Sequence, residues 1–209
     1  MPFWFRIALI CLFSLVLYAV LLDEAWIRST LQAEHDQNIS AYGESAVAVN
    51  EGRARGWFDT IAIDSGFMQT TYTLFTPEKN EVDQKAPVNM QRVQGLVVWW
   101  ESRMRLTWTL LYQVLLRLSY LISWLPVLIL LAIPFVTDGL VRRRLRRSQF
   151  HPTSPLRFYT GSWGIFLTLV GFGLLLIAPF AIPPLMVPLM LVVLTASLGL
   201  CAAHLHERV

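Results

Sequence analysis

Residues Leu110 to Arg147 read LLYQVLLRLSYLISWLPVLILLAIPFVTDGLVRRRLRR, and that order decides the fold class. An apolar run carrying one charge, Arg117, extends to Val136, and five arginines follow within the six positions from Arg142 to Arg147. About 20 apolar residues cross a bilayer as a helix, so the run predicts a membrane span over 110–136. Arginines next to a span are retained on the cytoplasmic side, so the basic stretch orients the chain.

Three more apolar runs flank this one. Phe3–Leu22, interrupted by Arg6, lacks the small-residue cleavage pattern of a signal peptide and predicts an uncleaved anchor. Phe158–Ile182 and Leu185–Ala203 are joined through Pro179, Pro183 and Pro184, which predict a tight hairpin. The composition agrees: 55% hydrophobic, 15% charged, mean hydropathy +0.51, against about 25% charged in soluble domains. From Asp23 to Arg105 there are twelve acids and eight bases, and from Asp138 to Arg157 one acid and six arginines. Such asymmetry fits opposite faces of a membrane.

The expected architecture is therefore an all-α membrane protein with four transmembrane helices, residues 1–22, 110–136, 158–182 and 183–203. Between the first two lies a helical periplasmic segment, 23–109. Residues 137–157 form a basic cytoplasmic loop and 204–209 a cytoplasmic tail, which puts both termini inside a bacterial inner membrane.

Within 23–88, Ile39, Tyr42, Ala46 and Val49 recur at helical spacing, while Thr76–Pro87 has the composition of an exposed loop. A stripe from Met90 through Val97, Trp100, Met104, Trp108, Leu111, Leu115 and Leu118 to Ile122 steps by three or four residues. It predicts one long helix running into the bilayer, bent at Pro126 and Pro134. Trp100 and Met104 are expected to bury against a helix continuing past Asp23.

Small residues mark candidate packing faces: Gly161, Gly164, Thr168 and Gly171 in the third span, Thr195, Gly199 and Ala203 in the fourth. Where lipid removes the hydrophobic drive between helices, such residues let backbones approach. Arg142, Arg143, Arg144, Arg146 and Arg147 serve first as a topology signal, and are candidates for docking lipid or a partner. Without interleaved aromatics they are a weak nucleic-acid signal, and no direct nucleic-acid binding is expected. Two readings of Arg117 stand: it snorkels to the interface, or it lines a pathway.

His204 and His206, two apart, lack metal-pair spacing and are expected in a polar tail; His35 and His151 read as surface residues. Trp99, Trp100, Trp108 and Trp124 suit an interfacial belt and helix packing. Cys11 and Cys201 sit in apolar runs as small hydrophobes. No phosphate-binding loop, nucleophile elbow, zinc-protease motif or paired intramembrane aspartate occurs. No catalytic, cofactor or metal residue is assigned.

Gly95-Leu-Val-Val-Trp-Trp-Glu101, Ile133-Pro-Phe-Val-Thr-Asp-Gly139, the arginine-rich stretch and Phe158-Tyr159 together resemble the integrating conjugative element membrane protein family. The resemblance covers most of the chain and implies a non-enzymatic accessory role in type IV secretion and DNA transfer. Its implied partners are membrane lipids and other apparatus proteins, with the coupling ATPase among them. A small channel or transporter subunit is the alternative.

Overall fold

The computed structural model describes residues 18, 21–75, 90–148 and 155–204. Every regular element among them is helical. Most of the expected first span, the 76–87 loop, His151 and His206 lie outside the described residues. The chain divides into two compact units, one comprising residues up to Ser119 together with Leu176–Ala181, the other Tyr120–Leu175 and the residues from Ile182 onward.

In the first unit, α1 (Glu24–Tyr42) and α2 (Glu44–Phe58) are joined by Gly43 alone. Its φ of +84° is a left-handed value that glycine adopts without a Cβ penalty. A π-helical turn, Asp59–Asp64, prolongs α2, and Gly66 turns the chain into α3 (Phe67–Phe75). The long helix α4 runs from Met90 to Ser123, about 50 Å at 1.5 Å per residue.

Pairings along α4 give the helix directions. Leu22 O accepts from Arg103 Nη1 at 2.5 Å, Ile27 packs with Leu106 and Leu110, and Glu34 meets Arg117. Helix α1 therefore runs parallel to α4. Asn50 bonds to Ser119 while Phe58 stacks edge-on against Tyr112 and Trp108, so α2 runs antiparallel to it.

The expected contact between α4 and the helix after Asp23 is present, but it centres on Leu106 and Leu110. Trp100 is 37% exposed and Met104 only half-buried. Periodicity located the stripe; the parallel direction moved its buried part towards the C-terminal half.

In the second unit, α5 (Leu125–Ser148), α6 (Pro155–Ile177) and α7 (Met186–His204) are each long and apolar enough to cross a membrane, over Leu125–Leu145, Leu156–Ile177 and Met186–His204. The expected 110–136 span is divided: α4 ends at Ser123, Trp124 forms a turn, and α5 begins just before Pro126. Proline has no N–H for the carbonyl one turn back, and Trp124 N–H is shared between Tyr120 O and Leu121 O at 3.2 and 3.1 Å.

The basic stretch is not a loop up to Ser148, since α5 continues through it. Helix α7 is the central one, with 39% of its span buried against 6% for α5 and 11% for α6. Phe135 lies against Gly199 and Gly139 against Gly199 and Ala202, so α5 and α7 are parallel. Gly161 lies against Cys201 and Gly171 against Met190, so α6 is antiparallel to α7. Three successive helices alternating in direction is the order three successive crossings require.

Candidate functional site

The first unit buries polar residues on two faces of α4: Gln113 and Arg117 share one, where Arg117 meets Glu34 of α1, and Ser119 lies on another, where it meets Asn50 of α2; Thr30 of α1 is buried as well. On α1, Ile27, Thr30 and Glu34 lie three and four residues apart, which puts a carboxylate in line with the apolar contact.

Arg117 is the centre, 7% exposed, and Glu34 is 3% exposed. Arg117 Nε donates to Glu34 Oε1 at 3.1 Å and Oε2 at 3.3 Å, and Nη2 donates to the same Oε1. Nη2 also donates to Phe180 O at 2.8 Å, and Nη1 donates to Ala178 O at 2.6 Å and Leu176 O at 3.4 Å. A guanidinium has five N–H donors, and this geometry engages Nε and both terminal nitrogens.

The acceptors belong to the end of α6 and the chain beyond it. The last carbonyls of a helix have no intrahelical partner, and Pro179 supplies no N–H to the turn. They also form the negative end of the helix dipole, where a cation is favoured. Arg117 supplies that cation. Trp26 Nε1 donates to Pro179 O at 2.8 Å, so α1 binds this stretch as well.

Two of three further hydrogen bonds tie α2 to α4, and the third, from Asn50 to Ala46, lies within α2. Ser119 Oγ donates to Asn50 Oδ1 at 3.1 Å, Asn50 Nδ2 to Ala46 O at 2.9 Å, and Arg53 Nη1 to Ser119 O at 3.3 Å. Nearby, a groove of about 510 Å³ is lined by residues including Arg28, Gln32, His35, Glu51, Arg55 and Tyr112. Both its arginines are paired, Arg28 with Glu24 at 2.5 Å and Arg55 with Glu51 at 3.4 Å, and His35 Nδ1 lies 2.6 Å from Glu51. On α3, burial pushes the ionisation of the Tyr72 hydroxyl above its ordinary value.

Arg117 thus neither snorkels nor stands open to a pathway. The cluster is built to hold segments together, and its guanidinium donors face protein acceptors. Among the described residues no group of three or more His, Cys, Asp or Glu is placed to hold a metal ion.

The residues singled out in the sequence fall as follows. A Cβ on Gly161 would stand 2.9 Å from Cys201 Sγ and 3.0 Å from Ser197 O, and one on Gly164 would meet Ser197. Gly199 faces α5 instead of α6, 2.7 Å from Phe135 O by the same construction. Thr168 and Thr195 are buried, with hydroxyls donating to Gly164 O at 2.7 Å and Leu191 O at 3.0 Å in their own helices. Ala203 is buried, and so is His204, which ends α7 and does not begin a tail.

Arg142, Arg143, Arg144, Arg146 and Arg147 all lie on α5; Arg142 pairs with Asp138 at 2.8 Å. Trp108 is buried against Phe58 and Phe67 at ring separations of 6.3 and 5.8 Å, whereas Trp99 and Trp100 are exposed. Glu34, Gly139 and Ser197 were missed from sequence. A carboxylate on the Ile27–Thr30 spacing was the available signal for Glu34.

Residues 23–205 match the family described as IncC plasmid conjugative DNA transfer protein DtrJ-like. Neither the curated proteins nor the solved structures yield a match.

Proposed function

Because the chain belongs to the DtrJ-like family of conjugative DNA transfer proteins, we propose that it is a non-enzymatic, multi-pass accessory subunit of a conjugative type IV secretion apparatus in the bacterial inner membrane. Residues 23–109 are periplasmic, the termini are cytoplasmic, and the basic end of α5 faces the coupling ATPase. Systems carried by integrating conjugative elements are included in this reading, on the strength of the motifs from Gly95 to Tyr159.

The observation that carries the non-enzymatic part is the saturation of Arg117. The most deeply buried ion pair described here ends on Glu34 and backbone carbonyls, leaving its donors committed to the fold. That same commitment weighs against the alternative of a channel in which Arg117 lines the path. The acidic balance of residues 23–105 against the arginines of α5 supports the orientation.

The test is a clean deletion in a donor strain, with complementation by an affinity-tagged chain and extraction in mild detergent. The expected results are loss of DNA transfer on deletion and co-purification of the coupling ATPase with the tagged chain. Wild-type transfer from the deletion strain would remove the proposed role. Transfer loss without ATPase capture would remove the contact alone.

A further inference from the structure

We propose that Arg142, Arg143 and Arg144 form a binding site for the phosphate headgroup of anionic phospholipid at the end of α5. This does not depend on the conjugative role. It rests on where the structure puts these residues relative to the apolar stretch.

A span ending at Val136 leaves the arginines two turns beyond it, in water. In the structure the stretch long and apolar enough to cross is Leu125–Leu145, 21 residues of one helix, and it includes Asp138 and the three arginines near its end. At about 1.5 Å per residue that is roughly 30 Å, the thickness of a bilayer's hydrocarbon core. The three arginines fall in the last turn of the crossing stretch, where a guanidinium must extend along the helix to reach polar groups.

The apolar residues around them support that depth. Leu140, Val141 and Leu145 are 42%, 53% and 55% exposed, interleaved with the arginines. Side chains of that kind, uncovered by protein and on the same turns as arginine, fit the boundary where acyl chains meet headgroups.

Charge identifies the ligand. On α5, Asp138 pairs with Arg142, whose side chain stays 63% exposed. From Asp138 to Arg144 the helix carries three arginines against one acid, with Arg142 and Arg144 both exposed. The planar guanidinium fork binds two phosphate oxygens at once, and each basic residue in the surface field contributes roughly fivefold to binding.

The experiment uses the full chain in neutral detergent micelles and counts retained lipid by native mass spectrometry. Phosphatidylglycerol is compared with phosphatidylcholine, and inorganic phosphate is added as competitor. We expect at least a tenfold preference for phosphatidylglycerol, unaffected by equimolar phosphate. The preference should vanish in R142Q/R143Q/R144Q, fall partway in R144Q, and largely survive in R142K/R143K/R144K.

R144Q, a single change on an exposed position, keeps the test decisive should the triple glutamine variant not insert. Three results overturn the site: equal retention of the two lipids, unchanged preference in R144Q, or displacement by phosphate, which would mark a soluble ligand. Arginine-dependent capture of the coupling ATPase without any lipid preference would overturn it too, in favour of a protein surface.

Discussion

Glu34 on α1 and Arg117 on α4, 83 positions apart in the chain, form an ion pair whose side chains are 4% and 8% exposed. The pair binds a third segment too, because Arg117 carries the carbonyls of Leu176, Ala178 and Phe180. One guanidinium therefore joins three stretches that are remote in sequence, and its charge is compensated within the unit.

Removing one partner of such a pair leaves the other charge buried and unmatched. Glu34→Ala should cost about 3–5 kcal/mol, lowering the thermal midpoint in mild detergent by on the order of 10 °C. Arg117→Ala should cost at least as much, because the 176–180 carbonyls lose their donor as well. The apolar double replacement Glu34→Leu/Arg117→Met should do less damage than Arg117→Ala alone. If the double variant is no better than that single, the ion pair is not what holds these segments.

The parallel run of α1 and α4 is checked by cross-linking in membranes, with Cys11 and Cys201 replaced by alanine. An I27C/L110C pair should form a disulfide readily, since both side chains belong to one buried cluster. A W26C/W100C pair should not. Efficient linking of the second pair and none of the first would mean the helices run the other way.

What the sequence could not convey is which neighbour covers an apolar stripe. Met90 to Ile122 shows the 3.6-residue period, and α4 follows it for 34 residues. Yet the same period serves a helix buried in lipid and one buried in protein, so periodicity and hydropathy alone place 110–123 in the bilayer. Gln113, Arg117 and Ser119 are the contrary signal, since polar residues this numerous in a span call for polar partners. The partners of Arg117 and Ser119 sit on α1, on α2 and in residues 176–180, at separations no local pattern reports. Similarly, the spacing of small residues marked α7 as a packing helix, but it left open that Gly199 faces α5 while Ser197 and Cys201 face α6.

Packing in the second unit should respond to bulk at two glycines and not at a third. Gly199→Leu and Gly139→Leu drive a side chain into the α5–α7 contact, where added atoms would meet backbone. Each should destabilise by about 1–3 kcal/mol or more, seen as a lower midpoint and faster proteolysis in detergent. A Cβ at Gly173 meets nothing within 4 Å, so Gly173→Leu should leave both readouts unchanged. Equal losses at all three positions would point to a general effect of glycine replacement.

Alkaline stability should report Tyr72. Burial is the main cause that raises its ionisation above 10.0, with Glu101 and Glu24 adding to it and Arg105 opposing. The unfolded chain loses this proton first as pH rises. The contribution is therefore complete below about pH 10 and is lost as pH climbs through the higher folded value. Tyr72→Phe should flatten the fall in thermal midpoint across that window and change nothing at pH 7. An identical alkaline slope in the variant would show that other groups govern it.

The five arginines of α5 separate charge from geometry. Replacing Arg142, Arg143, Arg144, Arg146 and Arg147 together with lysine keeps every positive charge, so membrane orientation should be unchanged, as reporters fused after Lys79 and after Ser148 would show. Attraction to anionic headgroups should also survive, because lysine still meets phosphate as a point charge. A carboxylate surface on a protein partner is different: it is matched by the planar fork, which lysine lacks. We expect DNA transfer within a fewfold of wild type in the lysine variant, since the arginines of the last helical turn are placed to meet lipid. Correct orientation with transfer lost would show that a protein surface, recognised by guanidinium geometry, is docked on this helix end.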